Sequence, residues 1–288
     1  MAALRAWIGS KLNPNGKYRF ERELQLMRLP TKVLLAIMCV GIVAACGANA
    51  MAIDSAVINE RVFNDDPTST LTTTNSYPSL VEISDTRTGG GGFANLHTFH
   101  LADAGVPHPF ANNEPSSFSA DLTISGAGDG EAGIQVAPWW SAADGNFNFR
   151  TTDGEIAVFG GRLPFYSFTA SQSLTYTKGD TVRAGVVYNP HGLSSVSPAT
   201  ITYNVNIGGT DYTSGPLAFD EGNPLEGFGS WGHLDDARIG GYVKVFNTAE
   251  NLTAQWGNMS YSASIPEPAS MVLAGLGVLG MVVGRRKR

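Results

Sequence analysis

This chain of 288 residues is short of cysteine, and short of positive charge anywhere but its ends. Its two cysteines, Cys39 and Cys46, both sit in an apolar N-terminal segment, so residues 51–264 have none. A disulfide framework, cysteine-based zinc sites and thiol catalysis are thereby excluded from that body. Its stability must come from a β core or from bound cations. Basic residues gather at the termini, with a net +5 over 1–50 and +3 over 265–288. Of the overall −6, this leaves −14 for residues 51–264. Such a body repels nucleic acid and anionic lipid headgroups. The body also lacks any sustained 3.6-residue apolar period, any long apolar run and any Gly-x-Ser-x-Gly nucleophile elbow.

What the body does have is alternation. In ATITYNVNIGG, Ile201, Tyr203, Val205 and Ile207 fall on one face and Thr202, Asn204 and Asn206 on the other. A period of two is the mark of a half-buried strand. Phe147 and Phe149 alternate with Asn146 and Asn148; Leu122 and Ile124 flank Thr123; Ile134 and Val136 flank Gln135; Val182, Val186 and Tyr188 oppose Arg183. Turn residues such as Gly128-Asp129-Gly130, Asp153-Gly154 and Gly208-Gly209 punctuate these runs. The expected fold is all-β: an antiparallel two-sheet jelly-roll sandwich of about ten to thirteen strands over 51–264. Residues 65–79, rich in Thr and Ser, read first as an exposed loop, with an irregular edge strand as the alternative.

The two ends read as signals. From Met27, the basic Arg28 and Lys32 precede an apolar run from Val33 to Ala45, and Ala48-Asn49-Ala50 offers the small-x-small pattern of leader peptidase. Residues 27–50 are expected to be a signal peptide, cut after Ala50, with 1–26 a mis-called or disordered extension. Val43-Ala44-Ala45-Cys46 resembles a lipobox, which offers lipidation of Cys46 as an alternative.

At the other end, Pro266-Glu267-Pro268-Ala269-Ser270 is followed by an apolar stretch, Met271 to Val283, and by Arg285-Arg286-Lys287-Arg288. Thirteen residues fall short of the about 20 that a spanning helix needs, so the segment suits a temporary stop in the membrane. The basic cluster should stay cytoplasmic and leave the body outside. These three parts in this order resemble the PEP-CTERM sorting signal. The resemblance implies a short transmembrane helix, recognition of Pro266, Glu267 and Pro268 by an exosortase-type protease in the inner membrane, and delivery to the cell surface or beyond, often alongside exopolysaccharide.

Candidate sites in the body are sparse. Asp129, Asp144, Asp153, Asp235 and Asp236 lie in turns that could hold Ca2+, which takes oxygen ligands from loops. Trp139 and Trp140, adjacent after Pro138, could stack on sugar rings. His97 and His100 should point to opposite faces of a strand, which argues against a shared metal, and read as ordinary surface or partly buried histidines. Two catalytic carboxylates spaced along one strand face, as a glycosidase requires, do not appear. The segment from Trp231 to Tyr261, with Asp235 and Asp236 ahead of Arg238-Ile239-Gly240, resembles the closing strands of concanavalin A/laminin-G-like domains. The expected function is that of an exported, non-catalytic surface or matrix protein with lectin-like contact to extracellular polysaccharide. A glycan-active hydrolase or lyase on a jelly roll is the alternative.

Overall fold

The computed structural model describes residues 53–64, 66–89, 95–138, 145–160, 163–221, 230–234 and 237–263. Within these, sixteen strands form two antiparallel sheets. The front sheet contains β1 (Ser55–Asn64), β4 (Asn95–Asp103), β5 (Val106–Pro107), β7 (Gly130–Pro138), β8 (Asn146–Arg150), β9 (Ile156–Phe159), β10 (Tyr166–Ser167) and β15 (Ala237–Val245). Its order is β1-β4-β15-β7-β8-β9-β10, with β5 beside β4. The back sheet contains β2 (Thr70–Ser76), β3 (Leu80–Thr86), β6 (Ser116–Ser125), β11 (Thr181–Asn189), β12 (Thr200–Ile207), β13 (Thr210–Thr213), β14 (Leu217–Ala218) and β16 (Asn251–Ala263). Its order is β13-β12-β11-β6-β16-β3-β2, with β14 beside β12. The expected jelly-roll sandwich is present. The strand count exceeds expectation by the three two-residue strands β5, β10 and β14, which are too short to carry an alternating pattern.

The alternating residues do what their period requires. Ile134, Val136, Phe147 and Phe149 of the front sheet meet Leu122, Ile124, Val182, Val186 and Tyr203 of the back sheet in one buried core. Trp256 of β16 lies at its centre. Its ring meets Phe99 edge-on at 5.1 Å, and its Nε1–H donates across the interior to the Gly133 carbonyl at 3.0 Å. Gly241 makes room for this indole, since a Cβ there would collide with it. The single α-helix among the described residues, α1 (Phe168–Gln172), is held by a Ser167 side chain that accepts from the Ala170 amide, the usual N-cap bond.

Residues 70–76 correct the first expectation for the Thr/Ser-rich stretch. They form β2, the edge strand of the back sheet, paired along its length with β3. Six of its seven residues are exposed, so neither face carries the apolar side chains by which a strand is recognised.

The histidines are a second correction. His97 and His100 do point to opposite faces, but both are buried. His97 points into the sandwich and meets Asp85 of β3, Nε2 to Oδ2 at 3.0 Å, with both side chains fully buried. Its Nδ1 accepts from the Arg61 amide at 2.9 Å, which places the ring proton on Nε2, facing the carboxylate. Arg61 reaches this position through a bulge between Asn59 and Phe63, where its φ is 58°. Asn95 completes the bridge: its amide donates to Ser69 Oγ at 2.9 Å, and its carbonyl accepts from the Asp66 amide at 2.7 Å. The two sheets are thus joined at this end by ionic and polar contacts instead of apolar packing.

With Nδ1 accepting from Arg61, removing Asp85 leaves the buried Nε2–H of His97 without an acceptor, at about 1–3 kcal/mol, whereas a solvated ion pair contributes about 1 kcal/mol or less. Asp85→Ala should therefore lower the unfolding free energy by about 1–3 kcal/mol. Breaking the part-exposed Arg183–Asp121 pair (2.8 Å) through Asp121→Ala should cost about 1 kcal/mol. Urea denaturation of the two variants decides between this ranking and its reverse.

Candidate functional site on the outer face of the front sheet

The register of the front sheet sets its outward side chains in straight rows across the strands. The middle row runs Thr98, Tyr242, Gly133, Asn148, Ala157 over β4, β15, β7, β8 and β9. Beside it runs His100, Gly240, Gln135, Asn146, Phe159. On the other flank, Lys244 opposes Glu131, and Glu131 opposes Arg150. The residues between these, Phe99, Ile134, Phe147 and Phe149, face the core. Alternation alone therefore gives a polar outer face behind an aromatic inner one.

Two glycines shape this face. A Cβ on Gly133 would collide with the Phe147 carbonyl oxygen, and one on Gly240 with the Phe99 carbonyl oxygen. Both positions exclude any larger residue. They leave bare backbone between Tyr242 and Asn148 and between His100 and Gln135.

The middle row holds unmet hydrogen-bonding capacity. Asn148 is fully buried, yet neither its Oδ1 nor its Nδ2 has a partner; the Tyr242 hydroxyl and Thr98 Oγ1 are also buried without one. A buried polar group left unpaired costs about 1–3 kcal/mol, and native proteins seldom tolerate several together. Thr98 and Tyr242 are neighbours in this row and Asn148 lies one strand further, across Gly133, so the row offers donors and acceptors at once. Burial, with Glu131 nearby, pushes the Tyr242 phenol well above its ordinary range, so it stays protonated.

The neighbouring row centres on His100. Asn59 Nδ2 lies 3.2 Å from its Nδ1; an amide nitrogen only donates, so Nδ1 is the acceptor. Burial, reinforced by the Arg238 charge and partly offset by a hydrogen bond with Gln135, lowers the imidazole pKa to about 4. His100 is therefore neutral near pH 7. Gln135 Nε2 continues the chain of contacts to Asn146 Oδ1 at 3.3 Å.

The carboxylates on this face are committed to cations. Glu131 sits 3.8 Å from Lys244, and burial raises its pKa. Arg150 takes Asp153 bidentately, at 2.8 and 2.7 Å, and also Glu155 at 2.5 Å. Arg150 pairs in register with Glu131 and holds Glu155 through its guanidinium.

The expected calcium ligands fare similarly. Asp129 accepts from Lys178 at 3.1 Å and from Thr151 at 3.0 Å, and Asp153 is held by Arg150. Among the described residues no three His, Cys, Asp or Glu side chains gather as a metal site. Asp144, Asp235, Asp236, Trp139 and Trp140 lie outside the described residues. So do Ala48 and Ala50, Pro266 to Pro268, and Arg285 to Arg288. Sequence reasoning missed His100, Tyr242, Asn148 and Thr98 as a group. The available signal was the pair Asn146 and Asn148 on the polar side of a strand with aromatics on the other.

A family model described as the PEP-CTERM protein-sorting motif matches residues 264–288. The chain carries this sorting signal. It marks the protein for export and membrane-associated sorting and implies processing by an exosortase. No curated protein matches the chain. Among solved structures, the lectin UEA-II complexed with galactose is similar at 10% identity and a TM-score of 0.41, over 74% of this chain and 100% of that one. Lectin II from Ulex europaeus matches at 11% identity and a TM-score of 0.41, over 74% and 100%. Alginate lyase A1-II', of polysaccharide lyase family 7, matches at 10% identity and a TM-score of 0.40, over 67% and 83%.

The lowered pKa of His100 has a consequence for stability. Unfolded, a histidine titrates near 6.5. As pH falls from there towards 4, the unfolded chain takes up a proton that the folded one refuses, so stability drops. The loss should reach about 3 kcal/mol by pH 4. Most of it should be absent in His100→Gln, as read by chemical denaturation at pH 7, 5.5 and 4.

Proposed function

We propose that this is an exported, non-catalytic glycan-binding protein that meets extracellular polysaccharide with the outer face of its front sheet. The observation that carries the reading is the row of buried, unmet hydroxyl and amide groups on Thr98, Tyr242 and Asn148. Sugars supply hydroxyls that both donate and accept, and so complete such groups better than an anion or a cation does. The absence of an available carboxylate pair on the described face fits binding better than hydrolysis. Asn148→Ala should weaken glycan binding about 5- to 150-fold, the worth of buried hydrogen bonds of about 1–3 kcal/mol. Tyr242→Phe should weaken it less. A glycan array followed by calorimetry, run with and without calcium, checks this; unchanged affinity in both variants rules the face out.

One observation favours a second reading, a polysaccharide lyase. His100 is neutral at physiological pH and lies under the field of Arg238. A neutral imidazole near a guanidinium could abstract a proton next to a carboxylate held by the cation, once Asn59 gives up the Nδ1 lone pair it now occupies. A lyase leaves a carbon–carbon double bond in its product, seen as new ultraviolet absorbance. A binding protein returns the polysaccharide unchanged.

The route to the surface is the other half of the reading. Leader peptidase removes the N-terminal signal after Ala50. Arg285 to Arg288 hold the C-terminal segment with its end in the cytoplasm, and the exosortase reads Pro266, Glu267 and Pro268 while the protein is transiently in the inner membrane. Protein released from cells should therefore lack the basic tail by mass spectrometry. Glu267→Ala should leave the tail in place and the protein in the membrane fraction. Release of an intact chain ending in Arg288 would overturn this route.

A further inference from the structure

Each sheet has two edges, and three of the four are blunted. In the front sheet, β1 carries a bulge between Asn59 and Phe63 that contains Glu60 and Arg61, and its Ala56 carbonyl accepts from the Asn75 side-chain amide at 2.8 Å. β10, at the other edge, is two residues long. In the back sheet, β13 has four residues and carries Asp211, and its Thr213 carbonyl accepts from Gln172 at 2.9 Å. The fourth edge, β2, has none of these devices. Its seven residues, TLTTTNS, pair with β3 without a shift of register, and six of them are exposed. No charged residue occurs from Pro67 to Val81. Among the described residues, no backbone group from Thr70 to Asn75 bonds outside the pairing with β3. A strand paired on one side uses alternate backbone groups there, so the other half of those in β2 face water. Proteins ordinarily guard such an edge with lysine, proline, a bulge or a covering segment. Here it is lined with threonine, which favours strands.

We propose that β2 is a self-association edge, where a second copy of this chain adds its own β2 antiparallel and joins the two back sheets into one. This goes beyond the glycan-binding reading and does not rest on it. The strand fits its own copy. A two-fold axis at Thr73 sets Thr72 opposite Thr74, Thr70 opposite Ser76 and Leu71 opposite Asn75, so hydroxyl meets hydroxyl in most pairs. Charge selects the same contact. Two bodies of −14 repel each other, and an uncharged edge lets them touch with no like charges opposed. Glu82, opposite Thr74 on β3, is engaged by Gln255. Seven residues a side fall short of the about 20–30 of a standard stable interface, so the dimer is weak and depends on concentration. An axis normal to the joined sheet leaves both front sheets on the same side, so a pair presents two outer faces to one polymer.

The test uses the full chain with Cys39→Ser and Cys46→Ser, which removes both native thiols. Light scattering over a dilution series should show monomer passing to dimer as concentration rises. Thr72→Lys together with Thr74→Lys opposes ammonium groups across the axis and should raise the dimer dissociation constant at least about tenfold. Both side chains are exposed, so this variant should melt as its parent does, and that melt is the folding control. Thr73→Cys should form a disulfide between copies on mild oxidation, because opposite residues of an antiparallel pair lie about 4.5–5.5 Å apart, within disulfide reach. Thr210→Cys, on the β13 edge, should not cross-link. A parent that stays monomeric throughout overturns the proposal. So does a dimer that survives the two lysines at an unchanged melt, which assigns the contact to the apolar tail or to another face. Cross-linking of Thr210→Cys without that of Thr73→Cys moves the contact to the opposite edge and overturns it as well.

Discussion

The Trp256 indole ties the site to the core. It belongs to the back sheet, but its N–H is satisfied only by reaching through the interior to the Gly133 carbonyl of β7. In that position the indole lies next to Gly241 and meets Phe99 edge-on, and so needs glycine at 241. It also ends on the one residue of the middle row that has no side chain. Gly133 thus serves both faces of the front sheet. Its carbonyl anchors the core on one side, and its missing Cβ leaves bare backbone between Tyr242 and Asn148 on the other.

The sandwich is not closed by apolar packing alone. At one end, the Asp85–His97 pair and the Asn95, Ser69 and Asp66 contacts replace it. Such a bridge adds little net stability, because the cost of desolvating the pair nearly offsets its attraction. What it adds is direction. Hydrogen bonds through Nδ1 and Nε2 admit one tautomer and one ring orientation, so β3, β4 and the bulge at Arg61 are held in a single register. A body without cysteine has no covalent means of doing this, and a buried polar bridge is a non-covalent equivalent. Asp66 reinforces the same end: the Thr68 hydroxyl and the Gly89 amide lead the hydrogen bonds that hold its carboxyl down to about 2.

How far all this was legible depends on what each residue faces. Ile201, Tyr203 and Val205 announced β12 because one side of that strand is buried and the other solvated. β2 did not announce itself, since threonines occupy both of its faces. Asn146 and Asn148 were legible as an outward face, but not as a buried one. Burial there depends on strands far apart in the chain, β4, β7, β8 and β15, coming together side by side. The same holds for the site. Thr98, Tyr242 and Asn148 share a row only because residues 98, 133, 148 and 242 are in register across the sheet. No spacing along the chain encodes that. Asp85 was the exception that sequence offered and reading missed: it breaks an apolar series, Val81 and Ile83, at a position whose side chain must point inward.

The two ends and the body now form one physical argument. The tail is basic and apolar, and the body is acidic and closes its apolar core within two sheets. Charge of opposite sign at the two places lets the same chain be held at a membrane by its end while the body is kept off the anionic headgroups. Asp129, Glu131, Asp153 and Glu155 are paired with arginine or lysine, so the net −14 of residues 51–264 is carried by the other carboxylates. On the outward rows of the front sheet, by contrast, Thr98, Asn148, Gln135 and Asn146 carry no charge, and hydrogen bonds to such groups depend little on ionic strength.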